Sequence, residues 1–226
     1  MRNQSLFYIF AAMLPEWILK SVVYGFLIGI LVSAPMGPIG LLCLQRTIYK
    51  GRWHGFFSGV GAAFSDLIYA MITAMGMGIV VLFIEDNQAM LQIVGSVLLM
   101  IFGIYTFRSR PHFRTPKEGS RKKTYSQDAL TAFFLTFSNP LIIFLFIALF
   151  ARFNFIDPDY QLFSMVLGLF GIFGGAIFWW FVLTMLVGML HGKFQERGLR
   201  IINRLVGGAI FILAVIGLIY SICQYA

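Results

Sequence analysis

The apolar positions of this chain fall into six long stretches, roughly 21–44, 56–83, 89–107, 129–151, 161–190 and 204–222, separated by short polar gaps. A helix needs about 20 apolar residues to cross the hydrocarbon core of a bilayer, so each stretch predicts a transmembrane helix. The fifth is long enough to tilt or protrude. Two stretches are interrupted from within: the first by Pro35-Met36-Gly37-Pro38, the fourth by Ser138-Asn139-Pro140. Proline lacks the amide hydrogen a helix interior needs, and its ring clashes with the preceding turn. In hydrocarbon such a break is tolerated only where protein or a water-filled cavity takes up the freed backbone groups. The expected fold is therefore an all-α polytopic membrane protein of six transmembrane helices, with helices one and four interrupted. Residues 1–20 read as an N-terminal interfacial or flexible segment. Their apolar run from Leu6 to Leu14 is too short to span and lacks a small-residue cleavage site.

Composition agrees with the pattern. Of 226 residues, 59% are hydrophobic and 12% charged, and the mean hydropathy is +0.85. A soluble domain of this size has no interior large enough for that much apolar surface, which leaves one membrane domain over 21–222. The net charge of +8 does not point to nucleic acid, because the basic residues gather in the gaps between apolar stretches. Arg46, Lys50 and Arg52 follow the first stretch. Arg108, Arg110, Arg114, Lys117, Arg121, Lys122 and Lys123 follow the third. Lys193, Arg197, Arg200 and Arg204 follow the fifth. The opposite side carries Arg2, Lys20 and Arg152 with Glu85, Asp86, Asp157 and Asp159. The positive-inside rule places both termini outside and the basic loops in the cytoplasm. The loop over 108–128, with Pro111, Pro116 and Gly119, reads as flexible. It serves first as an orientation signal and second as a contact for anionic membrane lipid.

Six spans divide into two repeats, about 21–107 and 129–222. Ile93-Val94-Gly95-Ser96 opens the third span and Leu205-Val206-Gly207-Gly208 the sixth. An Ile-Tyr pair follows in each, Ile104-Tyr105 and Ile219-Tyr220. Gly61 precedes Asp66 in span two as Gly174 precedes Trp179 in span five, and Pro38 answers to Pro140. Three spans per repeat force the two repeats into opposite orientations. Paired interruptions in corresponding spans then point to a transporter's binding site.

Asp66 is the one acidic residue well inside an apolar stretch. It lies about ten residues, or ~15 Å at the helical rise, from the start of its span. A mid-membrane Asp costs about 2.5 to 3.5 kcal/mol on insertion scales, so it is expected to face the bundle interior. There it is able to take a cation, an ammonium group or a proton; the alternative is a structural Asp satisfied by neighbouring hydroxyls. Ser65 is a candidate for the same polar pathway. At the breaks, Pro35, Gly37, Pro38, Asn139 and Pro140 free backbone amides that suit a carboxylate and carbonyls that suit an ammonium group. A kink used only for packing remains the alternative. Trp179 and Trp180 lie mid-span, where Trp179 either lines the cavity or packs in the core. Gly55, Gly59, Gly61, Gly174 and Gly175 are read as helix-packing positions, Gly55 and Gly59 forming a small-xxx-small pair. Cys43 and Cys223 have no metal-ligand or redox spacing, and His54, His112 and His191 make no metal constellation, so no metal or cofactor is expected.

With these residues in view, the chain resembles the lysine-exporter-type (LysE) family of amino acid translocators. The resemblance runs from Gly37-Pro38 through Gly51-Arg52, Gly55, Gly59, Gly61 and Asp66 to Asn139-Pro140 and the glycine-rich fifth span, over about 20 to 222. It implies an exporter in a bacterial inner membrane that removes amino acids or related metabolites from the cytoplasm at the expense of the proton gradient. By position, Pro38, Asp66, Asn139 and Pro140 become its functional residues. One departure is visible: the family often has a lysine directly after its Asn-Pro, where this chain has Leu141. The expected partners are an amino acid, protons and membrane lipid, with a homo-oligomer left open. Three other readings compete. A metal or inorganic-ion exporter would need more intramembrane ligands than Asp66. A membrane redox enzyme would need paired intramembrane cysteines. A non-transporting scaffold would tolerate Asp66→Asn.

Overall fold

The computed structural model describes residues 15–35, 37–79, 88–109, 124–139, 141–153, 155, 161–189 and 196–225. Among them the chain is entirely helical: α1 (Glu16–Ser33), α2 (Pro38–Lys50), α3 (Arg52–Ile79), α4 (Gln88–Arg108), α5 (Tyr125–Phe137), α6 (Leu141–Phe153), α7 (Gln161–Met189) and α8 (Glu196–Tyr225). The first predicted span is α1 and α2 in succession, and the fourth is α5 and α6. Pro38 occupies the first turn of α2, where a missing amide hydrogen costs nothing. The α5–α6 pair is bent by 76°. Between α2 and α3 stands Gly51 alone, with φ 105° and ψ 159°, a backbone region that is essentially open to glycine only.

By length and apolarity α1, α3, α7 and α8 are each able to cross a membrane, and the bent α5–α6 pair makes a fifth crossing if taken as one. Among the described residues the expected count of six is not reached on this measure: α4 is 21 residues long, but its described apolar part, Gln92–Arg108, falls short of the about 20 residues a span requires. Two boundaries also differ from the sequence expectation. α1 begins at Glu16, within the 1–20 segment, and its first turn carries the acid that a helix start favours. α5 begins at Tyr125, within the 108–128 loop, because Gln127 Oε1 accepts the Thr124 N–H at 3.2 Å and closes the first turn. Residues 1–14 and most of the basic loop lie outside the described residues.

The helices pack through glycine. α1 lies against α7, where a Cβ on Gly171 would meet Val22 O at 2.6 Å, and α4 lies against α8 through Gly103 and Gly207. α3 runs through the middle, touching α2, α5, α6 and α7. Two apolar cores result. One gathers Ile28, Tyr69, Ala70, Ala74, Phe146 and Phe150 around α6. The other gathers Cys43, Leu44, Ala62, Ala63, Ala176 and Trp180 around α2 and α7. Large apolar side chains such as Phe64, Phe170 and Ile212 face outward, as a lipid-facing surface requires.

Candidate functional site

On α3 the two apolar cores part between Ala63 and Tyr69, and the residues in the gap are Phe64, Ser65, Asp66, Leu67 and Ile68. Asp66 sits halfway along α3 and is 5% exposed. Its Oδ2 accepts a hydrogen bond from Ser33 Oγ at 3.4 Å. Ser33 is the last residue of α1, directly before the first break. One helical turn beyond Asp66, the Tyr69 hydroxyl donates to the carbonyl of Phe137 at 2.5 Å, and the two rings stack at 5.4 Å. Phe137 is the last residue of α5, directly before the second break. Residues three apart share a helix face. One face of α3 therefore holds the end of the helix before each interruption, Asp66 at one and Tyr69 at the other.

The remaining predicted positions are distributed around this face. Pro35 is half-buried, and Gly37 and Pro38 are exposed. Gly37 N–H donates to Pro35 O at 2.8 Å. Asn139 is exposed, its N–H donating to Thr136 O at 3.0 Å and its carbonyl accepting from Ile142 N–H at 3.4 Å. Pro140 lies outside the described residues. The Ser65 hydroxyl is buried with no hydrogen-bond partner among the described residues, and the same holds for the indole N–H groups of Trp179 and Trp180. Trp180 is the deeper of the two at 2% exposure. Its ring lies on Gly59, so that a Cβ there would collide with the indole. Gly55 faces the Thr47 side chain, Gly61 the Ala129 backbone and Gly175 the Phe26 backbone, each too close for a Cβ. Gly174 departs from its predicted packing role. It is exposed, and a Cβ there would meet nothing within 4 Å, because it faces away from the α1 contact that its neighbour makes.

A second polar centre was not foreseen. Asp128, in the first turn of α5, is fully buried. Its Oδ1 faces Arg46 Nε at 3.2 Å and Lys50 Nζ at 3.3 Å, and its Oδ2 faces His54 Nδ1 at 2.7 Å. Arg46 also donates to Ser58 Oγ at 2.8 Å, Asp128 O at 2.6 Å and Thr131 Oγ1 at 3.0 Å. The network ties α2, α3 and α5 together, with the Tyr125 ring against His54 at 4.5 Å. Two signals in the sequence foreshadow it. Arg46, Lys50 and His54 recur at intervals of four, and Thr124 to Gln127 has capping-box spacing, which puts Asp128 inside a helix rather than a loop. Among the described residues no group of three His, Cys, Asp or Glu is placed to hold a metal ion.

Comparisons with known proteins place the chain in a family. The family model described as LysE type translocator matches residues 8–221. A Bacillus subtilis (strain 168) protein named "Putative amino acid efflux protein YcgF" is 22% identical over 186 residues, which cover 82% of this chain and 88% of that protein. No solved structure matches the chain significantly. With a match that extends over nearly its whole length, this multi-pass membrane protein belongs to the LysE type translocator family.

Proposed function

We propose that the protein is a secondary transporter, not an enzyme, that exports amino acids or closely related small metabolites from the cytoplasm in exchange for protons. The observation that carries this reading is the α3 face on which Asp66 and Tyr69 engage the helix ends before both breaks. The C-terminal ends of α1 and α5 carry partial negative charge, and the N-terminal ends of α2 and α6 partial positive charge. A zwitterionic amino acid complements both, its ammonium group toward Asp66 and the carbonyl ends, its carboxylate toward the amide ends. Asp66 is the carboxyl that exchanges a proton in the same place. Ser65 and Trp179 complete the polar pathway, beside Pro35, Gly37, Pro38, Asn139 and Pro140 at the hinges. The name of the Bacillus subtilis relative supports the substrate class.

In this reading the domain comprises repeats 21–107 and 129–222, six spans and a cytoplasmic loop 108–128, in a bacterial inner membrane with both termini outside. Most of the packing supports the inverted repeat, although among the described residues the α2–α3 and α4–α6 contacts have no counterpart of similar size. Exchange of the repeats turns the α1–α7 contact into α5–α3, α2–α7 into α6–α3, and α1–α6 into α5–α2. The α3–α7 and α4–α8 contacts map onto themselves. Transport then rocks one repeat against the other, with the Asp128 network closing the α2–α5 end.

The test is export of a panel of amino acids from loaded cells or vesicles, with and without a proton gradient. Gradient-dependent efflux of at least one amino acid is expected. Absence of any such flux overturns the reading, and flux indifferent to the gradient removes the proton from it.

A further inference from the structure

The α4–α8 pair lies apart from the site just described, and one end of it is strongly basic. A Cβ on Gly207 would lie 2.5 Å from Phe107 N and 2.7 Å from Gly103 O. Only glycine lets the two helices come so near, and their closeness sets the end of α4 beside the first turns of α8. There a cavity of about 280 Å³ is lined by Phe107, Arg108, Ser109, Arg200 and Arg204. Arg200 and Arg204 are four residues apart on one helix face, where like charges repel. Arg204 is steadied over the Phe107 ring at 5.9 Å. The ion pairs among the described residues all converge on Asp128, and none reaches these three guanidinium groups. Among the described residues no acidic side chain lines the cavity. The two most basic stretches of the chain adjoin it in sequence, 108–123 and 193–204.

We infer that this cavity is a binding site for the phosphate headgroup of an anionic phospholipid. Guanidinium groups match phosphate oxygens in charge and in fork geometry. Basic pockets between membrane helices at the cytoplasmic surface suit such headgroups. The same two helices expose Ile101 at 60%, Tyr105 at 72%, Ile201 at 53% and Leu205 at 68%. These residues offer acyl chains a surface, which free inorganic phosphate would leave unused. The inference does not depend on what the protein transports.

The test titrates the full chain in detergent with phosphatidylglycerol, phosphatidylcholine or inorganic phosphate, read by native mass spectrometry. Phosphatidylglycerol is expected to bind at least tenfold tighter than phosphatidylcholine. The R200Q/R204Q variant is expected to weaken it by about 30-fold, the effect of two lost arginine–anion contacts. Both arginines are exposed, and the charge-preserving R200K/R204K variant is expected to keep the lipid preference. Arg52→Gln, at the start of α3 and outside the cavity, is expected to leave binding unchanged. Equal binding of the two lipids, an unaltered R200Q/R204Q, or an equal loss in Arg52→Gln overturns the proposal. Inorganic phosphate that displaces phosphatidylglycerol at equal concentration also overturns it, in favour of a free-anion site.

Discussion

The two ends of the molecule are closed by opposite kinds of chemistry. At the α1–α6 end the seal is carbon: Phe146 and Phe150 are fully buried, and Phe150 stacks on Phe155 with ring centroids 4.1 Å apart. At the α2–α5 end the seal is the Asp128 network with its three cationic partners. Separating an apolar core exposes area at about 25 cal/mol per Å² with nothing to offset it. Separating a buried ion network returns its charges to water, where hydration offsets most of what was lost. In the rocking reading proposed above, the α2–α5 end is therefore the one that opens at the smaller cost once water can follow, and the α1–α6 end is the firmer one.

The comparison is most directly broken by unbalancing the polar seal. Asp128→Ala leaves three basic groups facing one another, and removal of one partner from a buried pair costs about 3–5 kcal/mol. A fall of several degrees in the melting temperature of the detergent-solubilised protein is expected. Cys43, fully buried in the α2 core, reports the opening itself. In a C223S background, Asp128→Asn is expected to raise the rate of Cys43 alkylation by roughly tenfold, about 1.4 kcal/mol of opening. Phe150→Ala, at the other end, is expected to leave that rate unchanged. Equal rates in the two variants would erase the distinction between the ends.

Next comes the layer between the cores. Asp66→Asn keeps the shape and the Ser33 contact but loses the charge, and a drop in efflux of about 100-fold, near 2.7 kcal/mol, is expected. Wild-type efflux in this variant would leave Asp66 a structural residue. Gly59→Ala forces a methyl group into the Trp180 ring and is expected to destabilise by about 1–3 kcal/mol. Gly174→Ala is expected to stay within about 0.5 kcal/mol, since nothing faces it. A single-atom change, Tyr69→Phe, removes the hydroxyl that reaches Phe137 O. A cost of about 1 kcal/mol in thermal unfolding is expected, with no increase in Cys43 alkylation.

Much of the architecture was legible in the apolar pattern. Both breaks fall where Pro35-Met36-Gly37-Pro38 and Ser138-Asn139-Pro140 stand, because proline constrains the backbone whatever surrounds it. The inward aspect of Asp66 was legible because an exposed carboxyl in hydrocarbon is too costly. The facing of the apolar residues was not. In a helix that is apolar all round, periodicity no longer separates the interior from the lipid side. That is why Gly174 and Gly175 looked alike and only one packs. The Asp128 network was hidden for a different reason. Arg46 and Lys50 were counted as solvated loop charges, and the one acid they share lies 78 residues from Lys50 along the chain. No local pattern encodes a contact of that separation. The same holds for Ser33, whose link to Asp66 appears only when α1 meets α3.

The single residue between α2 and α3 makes the three cations of the polar seal one unit. Gly51 joins the two helices without slack, so Arg46, Lys50 and His54 belong to one bracket. In the rocking reading proposed above, parting of the seal takes Asp128 from all three cations at once and leaves three like charges together on one frame.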